Sequence, residues 1–159
     1  MFNKIIVGYD GSEGSRVAFA RAIDMMQYKP DTKLLVAYVN EDVLSGDAAY
    51  SSEPVVANPM TTGMTSVDPD LNSPRQLARE YANQMTDLIQ GQLDKSHIEG
   101  QIVAIDGQPA QSLADLAEEE QADAIFVGNS GKSGFQKFFV GSVSEKLVKH
   151  SPCTVMVVK

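Results

Sequence analysis

The sequence predicts an α/β fold of the doubly wound type, in which helices cover both faces of a parallel sheet. Five short apolar runs lack clean polar alternation, as is typical of parallel strands buried on both faces. Amphipathic helical patterns separate these runs, so strands and helices alternate along the 159 residues of one ordinary domain. The runs are residues 5–7, 34–39, 102–105, 124–127 and 155–158.

The first two helices are predicted from their N-caps and apolar faces. Ser12 is a good N-cap for the first helix, and Ser73 precedes Pro74 at N1 and Gln76 at N3 of the second. Apolar residues at helical spacing then indicate the faces turned to the core. These are Phe19, Ala22, Ile23 and Met26 in the first helix, and Leu77, Tyr81, Met85 and Leu88 in the second, where the polar Gln92 continues the same spacing.

The third and fourth helices show similar signals. Pro109 begins the third, and Ser142 with Glu145 is read as a capping box for the fourth, which ends at His150 with Lys149 near its negative end. In the third helix, we expect Leu113, Leu116 and Ala117 to face inward and residues 118–120, all Glu, to face solvent.

Residues 41–73 fit neither pattern, since they are rich in Ser, Thr, Asp, Pro and Gly and have no sustained period. A stretch of this length without regular structure is unusual inside a compact domain. We therefore predict a flexible insertion after the second strand, with an ordered lid as the alternative.

Composition excludes several classes of protein. A formal net charge of −8 argues against a nucleic-acid binder, which normally shows a basic face. One cysteine, Cys153, forms no intrachain disulfide or thiolate zinc site, and we interpret it as a small residue at a strand edge. No apolar segment approaches the roughly 20 residues of a membrane span, and no signal-peptide pattern occurs, so the expected location is the cytoplasm.

A glycine motif follows the fourth apolar run. Gly128-Asn129-Ser130-Gly131 is followed, after nine residues, by Gly141-Ser142 at the start of the fourth helix. Glycines at a strand end allow the backbone to approach a ligand, and a helix N-terminus offers unpaired N–H groups and a partial positive charge. The motif therefore predicts a phosphate site.

Asp10 ends the first strand, before Gly11 and Ser12. Open α/β sheets bind ligands beyond the carboxyl ends of their strands, where the winding reverses. Asp10 is thus a candidate acceptor for ribose hydroxyls or a neighbour of a metal. The alternative is that Asp10 and Ser12 only cap the first helix.

Four segments resemble the universal stress protein family: residues 4–12, 106–110, 122–128 and 151–158. The spacing Gly-x2-Gly-x9-Gly-Ser is similar to the signature of its ATP-binding branch. The resemblance implies a five-stranded parallel sheet in the order 3-2-1-4-5, of the adenine nucleotide alpha hydrolase-like type. That order places Asp10 beside Gly128.

The resemblance also implies a role for each matching residue. Asp10 and Gly128 would lie against the ribose, and Val39 would contact adenine through its backbone. Phosphates would meet Gly131 and the amides at the start of the fourth helix, with the Ser142 hydroxyl added. Asn129-Ser130 stands where relatives often carry Ser-Arg or Ser-His, and Lys132 is the nearby cation. The implied binding residues are Asp10, Val39, Gly128, Asn129, Gly131, Lys132, Gly141, Ser142 and Val143.

Catalytic signals are weak. Gly131-Lys132-Ser133 matches the end of a P-loop, but Phe126 stands where the motif needs its first glycine. His97 and His150 lie at helix ends in polar surroundings, and no cluster has metal-ligand spacing. Any metal would be Mg²⁺ held largely by the nucleotide's own phosphates, and any hydrolysis would be slow without a base to orient water.

The predicted function is that of an ATP-binding, nucleotide-responsive regulator in the stress response. The resemblance further implies a homodimer through the last strand. A dimeric interaction module that binds no nucleotide is the alternative. An adenylating or ATP-cleaving enzyme is a weaker third reading, because no second substrate site is evident.

Overall fold

The computed structural model describes residues 1–40, 74–129 and 141–159. The insertion at 41–73, the N-cap at Ser73, and Gly131 and Lys132 of the predicted site lie outside them. The elements alternate as predicted: β1 Lys4–Tyr9, α1 Glu13–Met26, β2 Lys33–Asn40, α2 Pro74–Ser96, β3 Gln101–Asp106, α3 Pro109–Glu119, β4 Ala124–Gly128, α4 Ser142–His150 and β5 Thr154–Val158.

The five strands form one parallel sheet in the order β3-β2-β1-β4-β5, which confirms the expected fold. β1 lies at the centre, where Ile6 pairs with Leu35 of β2 on one side and Ile125 of β4 on the other. The winding reverses between β1 and β4. The carboxyl ends of these two strands therefore form the crevice in which doubly wound sheets bind ligands.

Helices cover both faces of the sheet and bury two apolar clusters. α1 and α2 pack on one face, where Phe19 and Ile89 belong to the same apolar cluster as Phe126 of β4. α3 and α4 pack on the other face, where Leu113 and Leu147 meet Ile125. The alternation of side chains along each strand separates the two clusters.

Burial on both faces was predicted for every strand, and it holds only for the inner ones. In β3 the side chains of Gln101, Ala104 and Asp106 are exposed, and in β5 only Val158 is buried. The cause is position, since β3 and β5 lie at the two edges of the sheet.

The predicted apolar face of α2 is wrong in part. Met85 is buried as expected, but Leu77 and Leu88 are 44% and 36% exposed, whereas Ile89 and Leu93 are buried. Both sets of residues have helical spacing, so periodicity alone does not separate them. Packing of α2 against β2 and β3 selects the face that contains Ile89 and Leu93.

A polar cluster joins β1 to β4 at the end of the sheet where the parallel strands begin, which we call the amino edge. Asp123 Oδ2 accepts hydrogen bonds from the backbone N–H groups of Lys4 (2.9 Å) and Asn3 (2.5 Å). These two bonds, that of Lys4 first, hold the pKa of Asp123 below its ordinary value. Lys4 Nζ bonds the Glu120 carboxylate at 2.8 Å, so Glu120 is half-buried, unlike the exposed Glu118 and Glu119.

Candidate functional site

The candidate site lies at the end of the sheet where the parallel strands terminate, which we call the carboxyl edge. Tyr9 pairs with Tyr38 across β1 and β2, so Asp10 and Val39, the next residues, are neighbours at the two strand ends. β4 lies on the other side of β1 and ends at Gly128. The sheet thus brings Asp10, Val39 and Gly128 to one edge, as the sequence predicted.

Asp10 has a structural role at the start of α1. Its Oδ1 accepts a hydrogen bond from the Ser12 N–H at 2.9 Å, across Gly11, which has a φ of +77°. Ser12 is the N-cap, and its Oγ accepts from the Ser15 N–H at 3.2 Å. Asp10 Oδ2 has no hydrogen-bond partner within the part of the chain that the structure describes. The turn before α1 therefore uses one of the two Asp10 carboxylate oxygens.

Gly128 is required by packing. A Cβ at this position would lie 2.5 Å from the carbonyl carbon of Gly14 and 2.8 Å from its Cα. Real Cβ atoms essentially never approach so closely. The absent side chain at Gly128 therefore admits the first turn of α1 to the end of β4, and holds α1 and its cap against this edge.

α4 begins one residue earlier than the sequence predicts, and the predicted capping box is wrong. Gly141 is the N-cap, with φ −60° and ψ 155°, and it has no side-chain hydrogen bond to the helix. The helical hydrogen bonds of α4 begin at Gly141, because its carbonyl accepts from the Glu145 N–H at 2.9 Å. Ser142 is consequently the first helical residue, and Glu145 accepts a hydrogen bond from Lys149 instead.

The backbone of Asn129 fixes the start of α4 to the sheet. The Asn129 N–H donates to the Val158 carbonyl at 2.9 Å, and the Asn129 carbonyl accepts from the Gly141 N–H at 2.6 Å. The Gly141 amide is thus already used within the protein. The Ser142 and Val143 amides follow in the first turn, where N–H groups have no intrahelical acceptor and carry the positive end of the helix dipole. This arrangement can bind an anion.

Two polar residues at this edge were missed by the sequence analysis. Ser15 and Ser144 are 3% and 1% exposed, and each occupies the third position of its helix. Each Oγ donates to the carbonyl of the N-cap residue at 2.9 Å, Ser12 in α1 and Gly141 in α4. The available signal was a serine three residues after each N-cap.

The other candidate residues lie outside this edge. His97 and His150 are exposed at the ends of α2 and α4, as predicted. Cys153 is a free, partly buried thiol just before β5, with its Sγ 3.6 Å from the Ser151 Oγ. Within residues 1–40, 74–129 and 141–159, no group of His, Cys, Asp or Glu side chains is arranged to hold a metal ion. No helix in those ranges is long and apolar enough to cross a membrane.

A sequence model of the universal stress protein family matches residues 1–159. The chain belongs to this family. Among curated universal stress proteins and their relatives, the stress response protein NhaX of Bacillus subtilis is 32% identical over 165 residues, covering 99% of this chain and 98% of its own. Universal stress protein UspA from Lactobacillus plantarum superposes with a TM-score of 0.74 at 21% identity, covering 99% of this chain and 97% of that one.

Two similar solved structures contain adenine nucleotides. A universal stress protein family member from Arabidopsis thaliana with AMP bound has a TM-score of 0.64 at 15% identity, covering 99% of this chain and 91% of that one. A universal stress protein in complex with cAMP has a TM-score of 0.57 at 22% identity, covering 99% and 97%. At 15% and 22% identity, the similarity of these two structures to this chain shows a shared fold.

Proposed function

We propose that this universal stress protein binds ATP at the carboxyl edge of its sheet and acts as a nucleotide-responsive regulator of the stress response in the cytoplasm. The observation that carries the proposal is the start of α4, which lacks a side-chain cap and lies, like the end of β1 at Asp10, at the carboxyl edge of the sheet. Family members with AMP and cAMP bound support an adenine nucleotide as the ligand.

The residues present fit such a ligand. The Ser142 and Val143 amides and the exposed Ser142 hydroxyl would bind phosphate, and Asp10 Oδ2 would accept from a ribose hydroxyl. The Val39 backbone would contact adenine, and Gly128 and Asn129 would lie along the ribose. Gly131 and Lys132 complete the proposed set from the sequence alone. Any Mg²⁺ would be held largely by the phosphates.

The proposed activity is binding, with slow ATP hydrolysis as the upper limit of catalysis. General-base catalysis needs a side chain within hydrogen-bond reach of the attacking water. In the described part of the edge, Asp10 is the only carboxylate among the proposed binding residues, and Ser12 already uses one of its oxygens. A regulator that responds to nucleotide occupancy fits this arrangement better than an ATP-cleaving enzyme does.

Calorimetric titration of the purified protein with ATP and with GTP tests the proposal. We expect ATP to bind and GTP to bind at least about tenfold more weakly, because backbone groups at Val39 match the adenine edge and not the reversed pattern of guanine. Mass spectrometry of the denatured protein would detect a co-purified nucleotide. Equal affinity for ATP and GTP contradicts the adenine contact, and no binding of either contradicts the function.

An interaction module without nucleotide is the second candidate, and a specific observation favours it. Contacts within the protein account for the same features. Packing against Gly14 requires a glycine at 128, the Ser12 N–H donates to the Asp10 carboxylate, and the Gly141 N–H donates to the Asn129 carbonyl. The same titration separates the two functions, because a module of this kind would bind neither nucleotide.

We also propose that β5 mediates a homodimer. The Thr154 N–H and the Val158 carbonyl both point toward β4, bonding Asp123 and Asn129. Backbone groups alternate in direction along a strand, so those of Val155 and Val157 point to the open edge. An apolar edge of this kind needs a covering partner, and a second copy of the strand would supply one.

Val157→Pro tests the dimer, because it removes an outward N–H and leaves the bonds to β4 in place. Sedimentation over a concentration series should show at least about tenfold weaker association than for Val157→Thr, which keeps the N–H and the β-branched shape. Unchanged association of Val157→Pro would place the interface elsewhere.

A further inference from the structure

Two helices begin at the proposed nucleotide site, and their first turns share one device. In α1 the buried Ser15 hydroxyl donates to the Ser12 carbonyl at 2.9 Å. In α4 the buried Ser144 hydroxyl donates to the Gly141 carbonyl at the same distance. Each serine is the third residue of its helix and is nearly inaccessible to solvent. The two helix starts differ in their other side-chain hydrogen bonds.

α1 has additional side-chain bonds at its start, and α4 does not. The Ser12 hydroxyl caps the Ser15 amide, and Asp10 accepts from the Ser12 amide. At α4 the N-cap is a glycine without a side-chain bond to the helix. Within the described residues, Ser144 therefore supplies the one side-chain hydrogen bond to the α4 N-cap.

This bond matters because Gly141 has no side chain of its own to restrict its backbone. Glycine has more conformational freedom than any other residue, so its φ and ψ in a ligand site must be fixed by its neighbours. The Gly141 N–H is held by Asn129, and its carbonyl is held by the Glu145 amide and the Ser144 hydroxyl. The orientation of the next two amides follows from that restraint.

We propose that Ser144 is a positioning residue for phosphate at this site, acting through the Gly141 carbonyl without touching the ligand. The proposal rests on the proposed nucleotide-binding function. In this proposal the buried Ser144 hydroxyl restrains the phosphate-binding amides of α4 and so raises the affinity for ATP. The exposed Ser142 hydroxyl would contact the phosphate directly.

Ser144→Ala tests the proposal, and Ser15→Ala is its matched control. Both variants lose one hydroxyl with the same partner type, distance and burial, and both N-cap carbonyls keep their bond to the following turn, Arg16 or Glu145. The two variants should therefore melt at similar temperatures. ATP affinity should fall about three- to tenfold in Ser144→Ala alone, the effect of one hydrogen bond.

Ser144→Thr is the rescue variant. It restores the hydroxyl and adds a methyl group in a closely packed position, so stability should fall while ATP affinity recovers toward the wild-type value. A purely structural role would instead make affinity follow stability across the three variants.

Amide hydrogen exchange in the nucleotide-free protein reports the restraint directly. Ser144→Ala should accelerate exchange of the Glu145 amide, which bonds the Gly141 carbonyl, and Ser15→Ala should not. Wild-type ATP affinity in folded Ser144→Ala, or equal losses in Ser144→Ala and Ser15→Ala, would overturn the positioning role while ATP binding stands. A wild-type protein that binds no ATP would overturn the proposed function and this inference with it.

Discussion

The amino edge of the sheet, where the strands begin, and the carboxyl edge, where they end, satisfy their polar groups differently. At the amino edge, one carboxylate, Asp123, accepts from two backbone amides of the first strand region, and Lys4 bonds Glu120. At the carboxyl edge, α4 begins at a glycine without a side-chain cap, and one Asp10 oxygen has no partner among residues 1–40, 74–129 and 141–159. Side chains complete the hydrogen bonding of the amino edge, whereas among the described residues of the carboxyl edge the start of α4 has no side-chain cap and one Asp10 oxygen has no side-chain partner.

Under the proposed function, the amino edge serves stability and the carboxyl edge serves ATP binding. The first-turn amides of α4 have no side-chain cap, so in this proposal they are available to phosphate. Substitutions at the amino edge should change stability alone. At the carboxyl edge, stability and binding should separate.

Gly128→Ala should have the largest effect, and on stability, because Gly128 has a packing role although it lies at the carboxyl edge. Its new Cβ would meet the Gly14 backbone, so we expect a loss of about 3 kcal/mol in the free energy of unfolding, measured with urea. Gly91→Ala is the control, since a Cβ there meets nothing within 4 Å. That helical substitution should stabilise by roughly 0.5–1 kcal/mol. Normal stability of Gly128→Ala would show that α1 can move away.

Gly141→Asp should separate stability from binding. The backbone at Gly141 suits any residue, and an aspartate there would cap the first-turn amides of α4. Thermal stability should stay level or rise, while ATP affinity falls at least about tenfold, because the carboxylate occupies the amides and repels phosphate. Gly141→Ser, a neutral cap, should lower affinity less. Unchanged ATP affinity in Gly141→Asp would remove α4 from the site.

Asp123→Asn tests the amino edge. A lowered pKa in the folded protein means that the ionised carboxylate stabilises the fold above its unfolded pKa, and that this stability is lost as the pH falls through the folded value. The variant should therefore melt lower than the wild type near neutral pH, and the two curves should converge in acid below pH ~3.8. Asp87→Asn, at an exposed position of α2, is the control. ATP affinity should not change.

Glu145→Gln should have the smallest effect. Lys149 lowers the pKa of Glu145 through a side-chain hydrogen bond, but both side chains are more than half exposed. Exposed pairs of this kind contribute little to stability and are screened by salt. We expect no resolvable change in melting temperature at physiological ionic strength, and unchanged ATP affinity. A clear loss of affinity would show that the charge of Glu145 contributes to the proposed site.

Much of the fold followed from local signals. Runs rich in Val and Ile identified all five strands, and Pro74 and Pro109 marked two helix starts to the residue. The strand order came from the family resemblance, and the structure confirms it. Gly128 and Gly141 lie where the glycine spacing predicted them, at the end of β4 and at the start of α4.

Other features depend on contacts that local patterns do not encode. Gly141 and Ser142 are both good N-caps, and only the hydrogen bond from Glu145 to Gly141 decides between them. Leu88 and Ile89 are adjacent apolar residues of one helix, and tertiary packing alone buries the second. The role of Asp123 requires knowing that its partners lie 119 and 120 residues earlier.

That last separation has a consequence for how the chain folds. β1 is made first and lies at the centre of the sheet, yet its partner β4 follows more than one hundred residues later. During synthesis β1 can pair only with β2 until β4 emerges, so its second edge stays open. Contacts of such long range slow folding, because the loop must close before they form. We therefore expect the β1–β4 junction to be the late step, with the nascent chain most prone to aggregate just before it closes.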